Sequence, residues 1–505
     1  MGSLLIAGII VLLLSFILEL VGYINSFCWK NKKLFSIITI TLLITATMLI
    51  MYSNLSNIIA LVFLLSVPYR IINLTRHTTS KINDLYLYNI ASRSFAFLGS
   101  IQLLLVGLLG LLEFSDLQIL ADRLSAVLYI TIVIVFSILL AFTATKNVVK
   151  TKPRENKIIA NNELPTVTVA IAARNETPSL QACLESVLAD DYPKLEILIY
   201  DDESQDNTLG IIKQFAHDGA RFIEGKEIPE KWLAKNFAYQ CLLNESTGEI
   251  IMYIGTDVRL HKDSIRKAIE LMTEKQVDMI SIMPKRTKEG ILASLIQPMR
   301  YWWELAMPRS KNSRPPVLST VWLSRRDSLL SEGGFNSFKR AIIPEEHLAK
   351  IFNDLGKYSF VRTSNTLKIS SHKKFKEQWQ TAIRTRYPQV HRRPELVFTR
   401  TLMLAILWIP FIIVPVLLFT YPNTIVTIVL LISSVLLLYS HILISFYTNP
   451  ISGLIAPLNF PLILLLEIIS LNISMYRYEY SSVIWKKRDV SEKAMYVYPS
   501  LPKLD

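Results

Sequence analysis

The sequence predicts a Rossmann-like α/β domain with a mostly parallel sheet, flanked on both sides by transmembrane α-helices. Three observations carry this expectation. Apolar residues make up 51% of the 505-residue chain, mean hydropathy is +0.35, and the excess lies in long runs near the two ends. Between those runs, short β-branched segments alternate with helical ones, which is the pattern of parallel βαβ units. Three of the strand-like segments then end in polar, carboxylate-bearing turns, where sheets of this kind gather ligands.

A hydrocarbon core about 30 Å thick is crossed by about 20 helical residues. Five N-terminal stretches approach that length, at about 4–26, 35–52, 55–69, 95–113 and 124–145. The third is short enough to be half-buried or re-entrant. No basic segment precedes the first run and no small-residue cleavage pattern follows it, so it reads as a retained helix rather than a signal peptide. Basic residues mark the cytoplasmic side of a membrane protein. The WKNKK segment, residues 70–81, and the run containing Lys146, Lys150, Lys152, Arg154 and Lys157 all fall on one side, while the acidic EFSD turn near Glu113 falls on the other.

Three C-terminal stretches follow, at about 401–420, 425–447 and 453–473. Three full crossings would leave the basic WKKRD segment (485–489) outside. Pro457 and Pro461 therefore make the last stretch the one expected to re-enter, with the tail cytoplasmic. The expected division is an N-terminal membrane region (1–150), a cytoplasmic α/β domain (163–390), a C-terminal membrane region (400–475) and a basic tail (476–505). A bacterial cell membrane is the expected location.

The net charge of +13 clusters beside the apolar runs, where it suits anionic lipid surfaces; no nucleic-acid partner is expected. Cys28, Cys183 and Cys241 form neither a metal-ligand spacing nor a disulfide framework. No P-loop or GxGxxG element is present, which disfavours triphosphatase and dinucleotide chemistry.

In the middle of the chain TVTVAIAAR, LEILIYD, ARFIEG, EIIMYIG and VDMISIM read as strands, with helices over 180–188 and 264–273. Asn175 and Glu176 follow the first strand, Asp201 and Asp202 the second, and Gly255-Thr256-Asp257 the fourth. Asp, Asn and Ser favour turns for their own reasons, but three such clusters in register with parallel strands point to a ligand site. A carboxylate there can accept hydrogen bonds from a base or ribose, and one at Asp257 can hold Mg²⁺ or Mn²⁺ against a diphosphate.

These segments resemble glycosyltransferase family 2, inverting enzymes of the GT-A fold that use nucleotide sugars. The resemblance rests on VAIAARNE (169–176), SVLADDYPKLEILIYDDESQDNT (186–208), TGEIIMYIGTDVRL (247–260), GGF (333–335) and EEHLAKIFNDLG (345–356). IPEKWLAKNFAYQ (228–240) and VIWKKRD (483–489) are similar to segments of its lipid-modifying branch, which includes hopanoid-associated, carotenoid-ester and ceramide glycosyltransferases. The resemblance implies that Asp202, in the Asp201-Asp202 turn, pairs with the nucleotide base beside Asn175 and Glu176. It implies that Asp257 binds metal and diphosphate, that Lys235 contacts donor phosphate or sugar, and that Glu346, next to Glu345, is the general base. Departures are Gly255 for the first Asp of DxD, Glu345-Glu346 for Glu-Asp, and Ala234 for a Gly. The QxxRW signature of processive synthases is replaced by Ile383-Arg384-Thr385-Arg386-Tyr387. Arg384 or Arg386 can clamp a diphosphate, or serve as basic juxtamembrane residues.

QPMRYWWELAMPRSK (297–311) has the composition of a helix lying on a membrane surface, which suits a lipid acceptor. The expected activity is metal-dependent transfer of one sugar from a nucleotide-sugar donor, a UDP-sugar, to a lipid of the bilayer. Two alternatives are a processive polysaccharide synthase and a non-catalytic scaffold or transport subunit that keeps the fold.

Overall fold

The computed structural model describes residues 2–24, 32–53, 58–79, 85–114, 118–153, 159–287, 291–309, 313–422, 424–486 and 488–491. Cys28, Lys30, Lys81, Arg154, Lys157, Lys311, Lys487 and the tail from residue 492 lie outside them.

The chain begins with helices α1 (Gly2–Ile24), α2 (Lys32–Ser53), α3 (Ile58–Thr79), α4 (Leu85–Phe114) and α5 (Gln118–Lys150). After the α/β region come α14 (Pro394–Thr420), α15 (Ile425–Thr448) and α16 (Pro450–Tyr480). Among the described residues six stretches are long and apolar enough to cross a membrane, in α1, α2, α5, α14, α15 and α16. Residues 59–75 and 93–109 are shorter apolar stretches. The short third stretch has a physical cause. Its helix continues through Pro68 to Arg70, which is fully buried and donates to Glu19 at 2.8 Å and Gln102 at 2.6 Å. Arg70 is therefore a bundle-interior cation and not the loop cation that the charge pattern suggested. Ionisable groups survive in such surroundings only when paired.

Between the blocks lies the sheet. Its strands are β1 (Val167–Ala173), β2 (Leu195–Asp201), β3 (Ala220–Glu224), β4 (Ile250–Ile254), β6 (Met279–Met283), β8 (Val321–Arg325) and β9 (Tyr358–Arg362). The spatial order is β3-β2-β1-β4-β8-β6-β9. All pairings are parallel except those of β8 with β4 and β6. β1 and β4 are nearly continuous apolar runs because helices cover both faces: α6 (Thr177–Leu188), α7 (Thr208–Phe215), α8 (Ala234–Glu245), α9 (Ser264–Glu274), α11 (Arg326–Ser331) and α12 (Pro344–Asp354). On one face Tyr253 stacks on Trp322 at 4.4 Å between ring centroids, with Tyr239 at 4.7 Å from Tyr253. A second, small sheet orders β5 (Val258–Arg259), β10 (Ser370–Ser371) and β7 (Lys285–Arg286) side by side.

Helices α10 (Ile291–Leu305) and α13 (Phe375–Thr385) join the α/β region to the membrane helices, packing on α16, with α10 also against α5 and α15. α16 runs as one helix through Pro457 and Pro461, and both of its ends lie at the α/β region. Tyr447, just before it, packs under Arg362 of β9, 3.7 Å from guanidinium carbon to ring centroid. At the other end the Tyr387 amide donates to Ser474 at 3.0 Å, and the Tyr478 hydroxyl donates to the Arg384 carbonyl at 2.8 Å. α16 thus begins and ends beside the α/β region. The tail strands β11 (Ile484–Trp485) and β12 (Arg488–Asp489) consequently end on the same side as the sheet.

That sidedness has a direct readout. In a background without the native cysteines, Gln214→Cys and Ser481→Cys should react with a membrane-impermeant maleimide from one face of sealed vesicles. Thr424→Cys, in the α14–α15 turn, should react only from the other.

Candidate active site

Strand register brings the three polar turns together. Ala173 is paired with Asp201 and Ile171 with Ile254, so β2, β1 and β4 end side by side. Asn175 adopts φ 51°, a left-handed conformation that Asn tolerates better than most residues. There its amide donates to Ser204 Oγ at 3.0 Å, and its Oδ1 accepts from the Gln205 amide at 2.8 Å. The Glu176 amide donates to Thr208 Oγ1 at 2.9 Å. Asp201 is buried, and its carboxylate faces its own turn, where the Ser204 amide approaches at 3.4 Å.

Asp202 points to a partner that strand-end reasoning did not supply. Arg488 of the tail donates to both of its carboxylate oxygens, at 2.6 and 2.7 Å, and to Glu203 at 2.5 Å. Lys486 donates to the Asn175 carbonyl at 2.8 Å and pairs with Glu176 at 3.2 Å. Arg174 closes the contact by donating to the Lys486 carbonyl at 3.0 Å. Burial raises the Asp202 carboxyl above its ordinary range, even against Arg488 and Arg174.

Asp257 lies just past β4. Its turn is tied to the sheet by the Gly255 amide, which donates to the Thr320 carbonyl at 3.0 Å. A Cβ on Gly255 would stand 2.5 Å from Asp257 Oδ1, so the glycine leaves the carboxylate its place. The small sheet supplies the surroundings. Ser371 Oγ donates to Asp257 Oδ2 at 2.6 Å, and Arg286 of β7 and Lys373 just after β10 lie close enough to act on the carboxylate electrostatically. Burial pushes the Asp257 carboxyl up, but Lys373, Arg286, the Ser371 hydroxyl and Arg300 outweigh it and hold the group below its ordinary value. Burial, reinforced by Arg300, Arg286 and Arg384 and opposed by Asp257, lowers Lys373 to about 8.

Among the described residues no group of three or more His, Cys, Asp or Glu side chains forms a metal cage. The donor set at Asp257 fits a divalent ion of a different kind, one held by a single protein carboxylate together with substrate phosphates and water.

The two neighbouring glutamates of α12 divide. Glu345 is fully buried and pairs with Lys235, whose ammonium also lies 5.0 Å from the Tyr239 ring centroid. Burial lowers the Lys235 pKa against the pull of Glu345. Glu346 pairs with Arg314 at 3.3 Å, and Arg314 is itself held by Glu304 at 3.0 Å. Burial raises the Glu346 carboxyl, with Arg314 opposing. The two arginines of α13 and its end also divide. Arg384 acts on Lys235, Lys373 and Glu345 and lies over the Trp485 ring at 4.8 Å. Arg386 turns to α16 and pairs with Glu467 at 2.6 Å.

The aromatic segment differs from expectation. Tyr301 and Trp302 are fully buried, Trp302 Nε1 donates to Ser440 at 3.0 Å, and Trp303 Nε1 donates to Glu467 at 2.8 Å. These rings form the seam between α10 and the membrane helices and do not lie in a lipid surface. Sequence reasoning also missed Arg286, Arg300, Lys373 and Arg314. Arg286, Lys373 and Arg314 come from a two-residue strand and loops without periodicity; Arg300 lies on α10, inside the segment singled out for its tryptophans.

Residues 168–329 match the family model described as Glycosyl transferase family 2. The chain carries a family 2 glycosyltransferase domain. Glycosyltransferase AglE of Haloferax volcanii is 30% identical over 121 residues, 23% of this chain and 38% of that protein. Poly-beta-1,6-N-acetyl-D-glucosamine synthase of Staphylococcus epidermidis is 25% identical over 204 residues, 39% of this chain and 46% of that protein. Beta-monoglucosyldiacylglycerol synthase of Nostoc is 24% identical over 137 residues, 27% of this chain and 29% of that protein. The chain thus spans less than half the length of each of these relatives. Among solved structures, a mannosyltransferase from Pyrobaculum calidifontis in complex with GDP-Man and Mn²⁺ is similar at 16% identity and a TM-score of 0.44, covering 69% of this chain and 97% of that one. The glycosyltransferase domain, with its mostly parallel sheet, is GT-A-like.

The Asp202–Arg488 contact gives a measurable coupling. Removing one member of a buried pair costs about 3 kcal/mol when the other stays charged, and Arg488 is partly exposed, so the loss should be smaller. Arg488→Gln is expected to lower thermal stability by several degrees. Adding Asp202→Asn should return part of that loss, as read by a double-mutant cycle on unfolding.

Proposed function

We propose that this glycosyltransferase transfers one sugar from a nucleotide-sugar donor, a UDP-sugar, to a hydroxyl of a membrane lipid, with inversion at the anomeric carbon. The observation that carries the reading is the position of the cationic pocket beside Asp257, lined by Arg286, Arg300 and Lys373. Its walls include α10 and α13, the same helices that pack on α16, so an acceptor can reach the cleft from the bilayer. The sheet, the cleft and the tail are assigned to the cytoplasmic side, where the basic flanking segments favour them.

In this scheme Asp202, with Asn175 and Glu176 and the Asp201 turn behind them, receives the nucleoside. A Mg²⁺ or Mn²⁺ ion bound with Asp257 would neutralise charge on the departing diphosphate. Lys235, fixed by Glu345, and Arg384 face the same region and stabilise negative charge as it develops. The acceptor oxygen attacks the anomeric carbon and passes its proton to Glu346. The bond from that carbon to the diphosphate oxygen breaks, and the nucleoside diphosphate leaves. One displacement gives one inversion.

The raised pKa of Glu346 suits a general base. Because the base must be ionised, the rate should fall as pH drops through its pKa, on an acidic limb lying above the 4.5 of an ordinary Glu. Glu346→Gln should remove that limb and lower kcat by about 10²–10⁴-fold, whereas Glu345→Gln should act mainly through Lys235 on KM for the donor. An unchanged profile in Glu346→Gln would assign the base elsewhere.

Processive synthesis is the second reading, favoured by the similarity to a polysaccharide synthase. Transfer from a radiolabelled UDP-sugar decides between them: a single-sugar lipid product is expected, and long polymer would overturn single transfer. In the same assay Asp257→Asn should abolish the divalent-ion dependence and reduce transfer by about 10²-fold or more.

A further inference from the structure

Glu346 is the last of four charged side chains that run from the seam helix α10 to α12. The first, Glu304 near the end of α10, is buried, and both of its oxygens accept hydrogen bonds. Arg314 donates to each of them, from Nη2 to Oε1 at 3.0 Å and from Nη1 to Oε2 at 3.1 Å. Arg309 Nη2 donates to Oε2 at 2.7 Å, and the Val317 amide donates to the same oxygen at 3.3 Å. Arg309 also donates to the Trp303 carbonyl at 3.1 Å and the Arg314 carbonyl at 3.4 Å. It thereby ties the segment carrying Arg314 to the end of α10.

A guanidinium holds its five N–H donors in one plane. The two terminal nitrogens of Arg314 serve Glu304, and this fixes the plane. The remaining edge, at Nε, then faces Glu346 Oε1 at 3.3 Å. Charge divides in the same way. Arg309 alone would neutralise Glu304, so the positive charge of Arg314 is left for Glu346.

Other groups near Glu346 do not hold it. Glu304 and Glu345 disfavour its charge, and Gln389 favours it through a hydrogen bond. Arg400 of α14 acts on it electrostatically, but its guanidinium lies over the Trp303 ring at 5.4 Å. Among the described residues Arg314 is the cation in ion-pair contact. A glutamate has one more rotatable bond than an aspartate, and so more freedom to lose before it can act at one place.

We propose that Arg314, held in plane by Glu304, is the positioning residue for the general base: it fixes one oxygen of Glu346 and leaves the other to the acceptor hydroxyl. The inference rests on the reading of Glu346 as base and deepens it. Glu304 directly follows Trp303, whose indole is tied to Glu467, so the base is registered to a helix that walls the cleft.

Full-length protein in nanodiscs tests this with two readouts. Infrared pH titration of the carboxyl band that Glu346→Gln removes follows Glu346 itself and needs no substrate. Kinetics with radiolabelled UDP-glucose and dioleoylglycerol give kcat, KM and the acidic limb. Arg314→Gln withdraws a charge that favours ionised Glu346, so titration and limb should both move to higher pH. Its kcat at neutral pH should fall about 10–100-fold, with KM for UDP-glucose unchanged. Glu304→Gln removes a charge that opposes ionisation, so the titration should move to lower pH, yet kcat should again fall. Arg314→Lys should keep the titration near that of the wild type without restoring kcat, because an ammonium has no plane to fix. Should Glu304→Gln fail to fold, the two Arg314 variants carry the comparison. A network that only stabilises the fold would lower the melting temperature in every variant and leave the titration and kcat unmoved. An unmoved titration in Arg314→Gln, or full kcat in Arg314→Lys, would overturn the positioning role. A limb that persists in Glu346→Gln would overturn the base itself. A limb that Glu346→Gln removes and Arg314→Gln does not move would overturn the positioning role alone.

Discussion

Glu467 is the tie on which the relation between the two halves of the molecule depends. It lies in a helix of otherwise apolar character, yet it accepts from Arg386 at the end of α13 and from Trp303 on α10. An unpaired carboxylate at that depth would be strongly unfavourable, and so would an unpaired Arg386. Each group makes the other's burial tolerable, and together they fix how the sheet region sits against α16. With that position set, α10 and α13 can act as both wall of the cleft and floor of the membrane block.

The apolar end helices, the strands β1, β2, β3, β4 and β6, the helices α6 and α9 and the three polar turns could be read from the chain, whereas β9 and the remaining helices of the α/β region could not. The legible signals are local: unbroken apolar runs, β-branched segments, and carboxylates just past strand ends. The antiparallel β8 was not legible, because Val321–Arg325 is one short strand whose direction depends on a distant neighbour. The same limit explains the cations. Arg286, Lys373 and Ser371 reach Asp257 only through the two-residue strands β5, β7 and β10, and pieces so short carry no period.

Two other differences have electrostatic or packing causes. Arg70 looked like a loop residue because it ends an apolar run, but Glu19 and Gln102 in neighbouring helices compensate it. The paired tryptophans looked like an interfacial belt because composition does not reveal which surface covers an aromatic ring. Here Ser440 and Glu467 satisfy their indole N–H groups from the membrane helices, so Trp302 is buried fully and Trp303 in part. In both cases the partner lies far away in sequence.

The tail contact has a consequence for any ligand of the β2 turn. Arg488 donates to both oxygens of Asp202, so a base that hydrogen-bonds to that carboxylate competes with the docked β11–β12 hairpin for its lone pairs. Apparent nucleotide affinity then rises with the fraction of molecules whose hairpin is released. Since the hairpin hangs from the C-terminal end of α16, whatever shifts that helix changes this fraction, and nucleotide occupancy becomes a gauge of the state of the membrane block.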